Sequence, residues 1–202
     1  MLHILLPRPP PYGVFMAPLA VSLTPQEFEQ VRFAYIVSKY GHRGQERDGG
    51  GRYFDHPKST AWIYVHECGG RDVRLICVLL LHDLKEDAYL LSGYRLGLNF
   101  GQDIALDVSS VTKLPKGKET TEEYLQRVII QGPYAIAGKL FDRLHNCRTL
   151  GSCTEEKRAD QIKETKQYHL RLLVPALAAY GGKWAEMANF LDVQIREAIA
   201  SY

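Results

Sequence analysis

His82, Asp83, Glu86 and Asp87 stand together in "LLLHDLKEDA", residues 79–88. Four apolar residues, Val78 to Leu81, lead into them. In a helix, residues four apart share a face, so His82 pairs with Glu86 and Asp83 with Asp87. A helix C-terminus repels acid. Carboxylates gathered there are costly unless a positive charge compensates them. A solvated helix end with an accidental acidic cluster is the plain reading of this stretch alone. A divalent cation is the chemical one, since imidazole plus carboxylate suits manganese, iron or zinc.

Further ligand-type residues strengthen the chemical reading. His56 lies in "YFDHPKS" and Asp142 in "GKLFDRLHNCRTL". Asp142, His145, Asn146 and Thr149 fall at i, i+3, i+4 and i+7, bracketed by Leu140, Phe141, Leu144 and Leu150. Polar groups on an otherwise apolar helix need partners. The order H…HD…D supplies two imidazoles and two carboxylates, a full cation set with room for water.

These residues must be positioned by helices. "SLTPQEFEQVRFAYIVSKYG" has Thr24 as N-cap, Pro25 in the first turn and Gly41 as a stop. Helical spacing then predicts segments over "HPKSTAWIYVHECGG", "RDVRLICVLLLHDLKEDA", "GQDIALDVSSVTKL", "TEEYLQRVIIQ" and "PYAIAGKLFDRLHNCRTLG". Two long amphipathic stretches, about 154–180 and 183–200, are split by Gly181-Gly182. No alternating run suggests a strand ladder, so the expected fold is all-α, a bundle of roughly eight to ten helices. "GHRGQERDGGGRYFDH" is the one long polar loop, and such loops in helical domains tend to be functional. Residues 1–22, apolar but broken by prolines, are expected to be an irregular arm, and 23–202 a single domain. The arm (Ile4, Leu5, Leu6, Val14, Phe15, Met16) and the last helix are expected to bury themselves or to form a homodimer face.

Composition narrows the partners. With 25 basic and 23 acidic residues among 202, net charge is +2, no footprint for a nucleic-acid polymer. Cys68, Cys77, Cys147 and Cys153 form no CxxC pair, and three of them, in apolar or helical contexts, read as the reduced thiols of an intracellular protein, expected to be cytoplasmic. No window approaches the ~20 apolar residues of a membrane span.

The blocks "HRGQER", "YFDHP", "LLLHDLKEDA", "VTKL" and "KLFDRLHNCRTL" resemble the hydrolase domain of RelA/SpoT-type alarmone enzymes, within the HD-domain metal phosphohydrolases. The resemblance runs over roughly residues 27–180, and 202 residues leave no room for synthetase, TGS or ACT regions. It implies a free-standing small alarmone hydrolase that removes the 3′-pyrophosphate of (p)ppGpp with one Mn²⁺ held by His56, His82, Asp83 and Asp142. It assigns the pair Glu86 and Asp87 to water activation and catalysis; on chemical grounds Glu86 is expected to be the more direct base, with Asp87 supporting it. Arg47 matches a base-contacting position, Asn146 a nucleotide- or phosphate-contacting one and Thr149 another on the nucleotide side. Lys113 is expected to hold a phosphate, Arg143 to orient the acidic cluster through a carboxylate, and Tyr168 to sit at the pocket rim. Arg43, Lys139, Arg148 and Lys157 are weaker candidates. The loop departs from the family: Asp48 replaces a usual lysine, Gly49 a serine, Arg52 a proline, and Asp160, later, an arginine. These changes leave (p)ppApp or another 3′-phosphorylated nucleotide such as NADPH open as substrate.

Overall fold

The computed structural model describes residues 9–47, 50–84 and 92–202. Its α-helices are α1 (Tyr12–Ala20), α2 (Pro25–Gly41), α3 (Asp55–Trp62), α4 (Val73–Leu81), α5 (Gly93–Phe100), α6 (Gln102–Val111), α7 (Thr121–Gln131), α8 (Pro133–Arg148), α9 (Glu155–Glu164), α10 (Val174–Ala178) and α11 (Gly182–Ala200). A π-helical turn, Ile63–Glu67, prolongs α3, and a longer π-helical stretch, Thr165–Leu173, joins α9 to α10 as one rod. The only extended pairing among the described residues is an isolated antiparallel bridge between Glu46 and Arg52. The chain is all-α.

Caps set the helix starts. The Thr24 hydroxyl accepts from the Glu27 amide while the Glu27 carboxylate accepts from the Thr24 amide, a reciprocal box that Thr120 and Glu123 repeat before α7. Asp72 opens α4 by accepting from the Arg74 and Leu75 amides. Its other oxygen accepts from Tyr134 on α8 and Lys183 on α11, each at 2.9 Å, which ties three helices at one end.

Helices α4 and α8 form the centre. Every residue from Leu75 to Leu81 is buried, as is Ala135 to His145. The two backbones approach at Gly138, where an added Cβ would come 2.9 Å from a Val78 methyl carbon. Helices α2, α3 and α6 surround α4, and α7 and α11 pack on α8.

One expectation is corrected, and one helix lies outside the predicted segments. Residues 12–20 are not part of an irregular arm: they form α1, which buries Phe15, Met16 and Leu19 in the core. Phe15 packs on Tyr35 and Trp62, with ring centroids 5.4 and 6.1 Å away. Pro18 lies inside this helix, and burial of the i, i+1, i+4 set outweighs the lost backbone hydrogen bond. Ile4, Leu5 and Leu6 lie outside the described residues. Residues 93–100, absent from the predicted segments, form α5, capped by Ser92 and anchored by Leu96 and Phe100.

Candidate active site

Four side chains converge where α3, α4 and α8 meet. His56 comes from the first turn of α3, His82 and Asp83 from the turn after α4, and Asp142 from the middle of α8. His82 keeps right-handed helical dihedrals although α4 itself ends at Leu81. His56 Nε2 lies 3.2 Å from His82 Nε2, 3.1 Å from Asp142 Oδ1 and 3.4 Å from Asp83 Oδ2. His82 Nε2 lies 3.1 Å from Asp83 Oδ1 and 3.7 Å from Asp142 Oδ1. Donors sharing one cation at ordinary ligand lengths stand roughly 3.0–3.5 Å apart, so the spacing suits a single ion. One ligand atom from each of His56, His82 and Asp83 lies within 4.8 Å of the other two, close enough to share an ion.

Hydrogen bonds orient these ligands. His82 Nδ1 donates to the Leu79 carbonyl at 2.9 Å, which turns Nε2 toward the other donors. Tyr53 donates to Asp83 Oδ2 at 3.1 Å. Asp142 divides its oxygens. Oδ2 accepts from Lys139 at 2.7 Å, while Oδ1 faces the histidines and accepts from Asn146 at 2.6 Å. Asn146 in turn accepts from Arg47 at 2.8 Å, so one chain of bonds runs from loop 42–54 to the ligand cluster. That loop is held by Gln45–Tyr53 and Arg47–Gly51 backbone bonds around Gly50 and Gly51, both at positive φ.

Burial drives the electrostatics. It pushes His56 well below the ordinary imidazole value, against the pull of Asp142, which favours the uncharged ring. Burial acts the same way on His82, but Asp83 and Asp142 outweigh it and raise that ring to about 9. Burial would raise Asp142, yet Lys139, His56 and His82 hold its carboxyl well below the usual range.

Beside the cluster opens a cleft of about 590 Å³, lined among others by Arg47, Tyr53, His56, His145, Asn146 and Thr149. That volume lies within the range of small-molecule sites.

No family model matches the chain. Relatives do. A GTP pyrophosphokinase of Streptomyces antibioticus is 34% identical over 150 residues, 71% of this chain and 17% of the relative. The bifunctional (p)ppGpp synthase/hydrolase SpoT of Escherichia coli strain K12 is 34% identical over 156 residues, 73% of this chain and 22% of the relative. A guanosine-3′,5′-bis(diphosphate) 3′-pyrophosphohydrolase of Aquifex aeolicus is 35% identical over 153 residues, 73% and 22% of the two chains. The chain thus spans about a fifth of the length of these curated relatives. A solved structure, described as a metazoan orthologue of SpoT that hydrolyses ppGpp, superposes with a TM-score of 0.68 at 21% identity, covering 89% of this chain and 96% of the other. Over 71–73% of its length this chain is therefore homologous to a segment of these GTP pyrophosphokinase and SpoT-type proteins.

On this RelA/SpoT-type frame the predicted residues fall into three groups. His56, His82, Asp83 and Asp142 come together, and Arg47, Asn146 and Thr149 line the adjoining cleft. Glu86, Asp87, Asp48 and Gly49 lie outside the described residues. Lys113, Arg143 and Tyr168 are not among the described residues lining the cleft. Arg143 is buried and donates to Gln161 at 2.6 Å, Glu164 at 2.9 Å and His169 at 3.1 Å, so its carboxylate partner is Glu164 and it braces the α9 rod against α8. Lys113 sits over the Tyr124 ring at 5.7 Å, and Tyr168 is partly buried against the core. Arg148 is also structural, in a double contact with Glu67 and one to Gln194.

Sequence reasoning passed over Tyr53 and His145 as site residues and ranked Lys139 low. His145 carried a signal, since it shares the polar face of α8 with Asp142 and Asn146. Lys139 carried a weaker one, three residues before Asp142. Tyr53 carried none beyond its place in "YFDHP".

Proposed function

We propose that this chain hydrolyses the 3′-pyrophosphate of (p)ppGpp, giving GDP or GTP and pyrophosphate, with one Mn²⁺. The observation that carries the reading is the HD-type donor set of His56, His82, Asp83 and Asp142 opening onto a cleft that a nucleotide can fill. The names of the bacterial relatives support it.

When bound, the cation neutralises phosphoryl charge and acidifies water. The remaining work belongs to side chains. Water adds to the phosphorus attached to O3′, that P–O3′ bond breaks, and the proton taken from water is returned to O3′. Glu86 takes the proton, supported by Asp87. Tyr53, Asn146 and Lys139 keep the ligating carboxylates aimed. Arg47, anchored to Asn146, reads the base, and Thr149 lies on the nucleotide side. Residues 12–202 act as one domain, supported by a continuous core that includes Phe15, Met16 and Leu19 of α1. The chain acts in the cytoplasm on a free nucleotide. Balanced charge agrees with this, and no helix among the described residues is long and apolar enough to cross a membrane.

A second reading keeps the chemistry and changes the base. Arg52, the extra loop cation, is paired with Asp55 at 3.0 Å, so it is no simple replacement for the lysine that Asp48 displaces. The lost cation and hydroxyl favour (p)ppApp or another 3′-phosphorylated nucleotide such as NADPH, or a different HD-type nucleotide substrate.

The test is turnover of ppGpp, ppApp and NADPH side by side, with Mn²⁺ and with EDTA. Pyrophosphate release from ppGpp that chelation abolishes is the expected result. Preference for ppApp or NADPH moves the substrate to the second reading, and no turnover of any of the three by metal-loaded protein overturns all three substrates and leaves only a different HD-type nucleotide. Glu86→Gln is expected to lose turnover and keep its metal; full activity in that variant would remove Glu86 as the base.

A further inference from the structure

His145 belongs to no ligand position, yet it is only 9% exposed and its Nδ1 lies 2.7 Å from His56 Nδ1. Two imidazole nitrogens at that distance share one proton, and one ring must donate while the other accepts. His82 has no such ambiguity, because its Nδ1 faces the Leu79 carbonyl, which can only accept. For His56 the choice is open until Nε2 is committed. That nitrogen faces Asp83, Asp142 and His82, the direction in which a cation is held under the reading above. A ligating Nε2 must offer its lone pair, so the His56 proton belongs on Nδ1. The partner nitrogen of His145 is then the acceptor, and a neutral His145 carries its own proton on Nε2.

Helix α8 therefore delivers two things three residues apart: Asp142 as a ligand, and the ring that aims a ligand from α3. The usual device for this task is a carboxylate or a backbone carbonyl. A carboxylate would add a third negative charge to a buried cluster that already holds Asp83 and Asp142. An imidazole accepts the hydrogen bond without one.

We propose that His145 is a positioning residue, which fixes the tautomer and ring orientation of His56 so that its Nε2 lone pair faces the cation site. The inference rests on the metal reading, and the experiment separates the two. Mn²⁺ affinity would be measured by the free-ion EPR signal for wild type, His145→Leu and His145→Gln, with far-UV CD to verify folding. His145→Leu is expected to weaken Mn²⁺ binding by about 10–100-fold, as for other partners of metal-bound histidines. His145→Gln, whose carbonyl oxygen can accept from His56, is expected to recover most of that loss. A folded His145→Leu that binds Mn²⁺ as tightly as wild type overturns the positioning role alone, as does a Gln variant no better than Leu. Wild type that binds no Mn²⁺ overturns the metal reading and this role together. An independent readout needs no variant: ¹⁵N spectra of Zn²⁺-loaded protein should show His145 protonated at Nε2 and bare at Nδ1. Protonation at Nδ1 would refute the proposal.

Discussion

Lys139 offers the sharpest test of how the site balances charge. Its ammonium is buried, 2.7 Å from Asp142 Oδ2, and it lies 5.3 Å from the centroid of the Tyr124 ring. Lys139→Met keeps the aliphatic volume and removes the charge. Taking away one member of a buried ion pair costs ~3–5 kcal/mol, because the other charge is left without compensation. Asp142 retains His56 at 3.1 Å and Asn146 at 2.6 Å, so the lower end applies, about 3 kcal/mol for metal-free protein. A divalent cation beside Oδ1 takes over most of that compensation, so metal-loaded protein should lose only about 1 kcal/mol. At roughly 2–4 °C per kcal/mol for a chain of this size, the EDTA-treated variant should melt about 6–12 °C below wild type and the Mn²⁺-loaded variant about 2–4 °C below. The thermodynamic cycle then requires tighter metal binding in the variant, by about 2 kcal/mol or some 30-fold. CD melts with and without Mn²⁺, with EPR titration of the metal, measure both arms. An equal stability loss in the two states, or weaker Mn²⁺ binding, would refute the reasoning.

Further expectations concern protons, anchoring and packing. His82 is raised from 6.5 to about 9, so its folded-state stabilisation is fully present below pH 6.5 and is lost as pH rises through about 9. Denaturant titrations of EDTA-treated protein across that window should show falling stability. Because Mn²⁺ must displace the same proton, its affinity should rise with pH over the same window, and a pH-independent affinity would count against His82 as ligand. Arg47→Ala removes a charge-assisted anchor to Asn146, and should cost ~10–100-fold in kcat/KM with little change in Mn²⁺ affinity, whereas an equal loss of metal would make Arg47 a structural residue. Arg143→Met breaks the bonds to Gln161, Glu164 and His169, and should lower stability by about 2–4 kcal/mol in urea without altering the relative rates on ppGpp and ppApp. Gly138→Ala forces a methyl against Val78 between the two central helices, and should cost ~1–3 kcal/mol; an unchanged Tm would mean that the α4–α8 approach is looser than described.

Much of this architecture is written locally in the chain. The Thr24 and Thr120 boxes, the Asp72 cap and the apolar run from Leu75 to Leu81 are short-range features, so helix starts and the buried central helix are legible from neighbouring residues. The ligand types were legible too, because two histidines and two aspartates in otherwise apolar surroundings have few uses. What misled was also local. The prolines around residues 9–18 hid the spacing of Tyr12, Phe15, Met16 and Leu19, and the glycines of 93–101 hid Leu96 and Phe100. In both places burial against distant helices outweighs weak local propensity.

The roles of the supporting residues required the tertiary structure. Arg143 and Lys139 are both buried cations of α8, four positions apart. Which one serves the site depends on what faces each of them: Asp142 for Lys139, and Gln161, Glu164 and His169 from a rod that begins at Glu155 for Arg143. His145 and Tyr53 acquire their roles the same way, through partners 89 and 30 residues away. Residue type and spacing thus pointed to a group of side chains able to hold a cation. Packing of α3, α4 and α8 decided which neighbours aim its ligands, because hydrogen bonds between distant segments depend on how those segments meet and leave no periodic trace in the sequence.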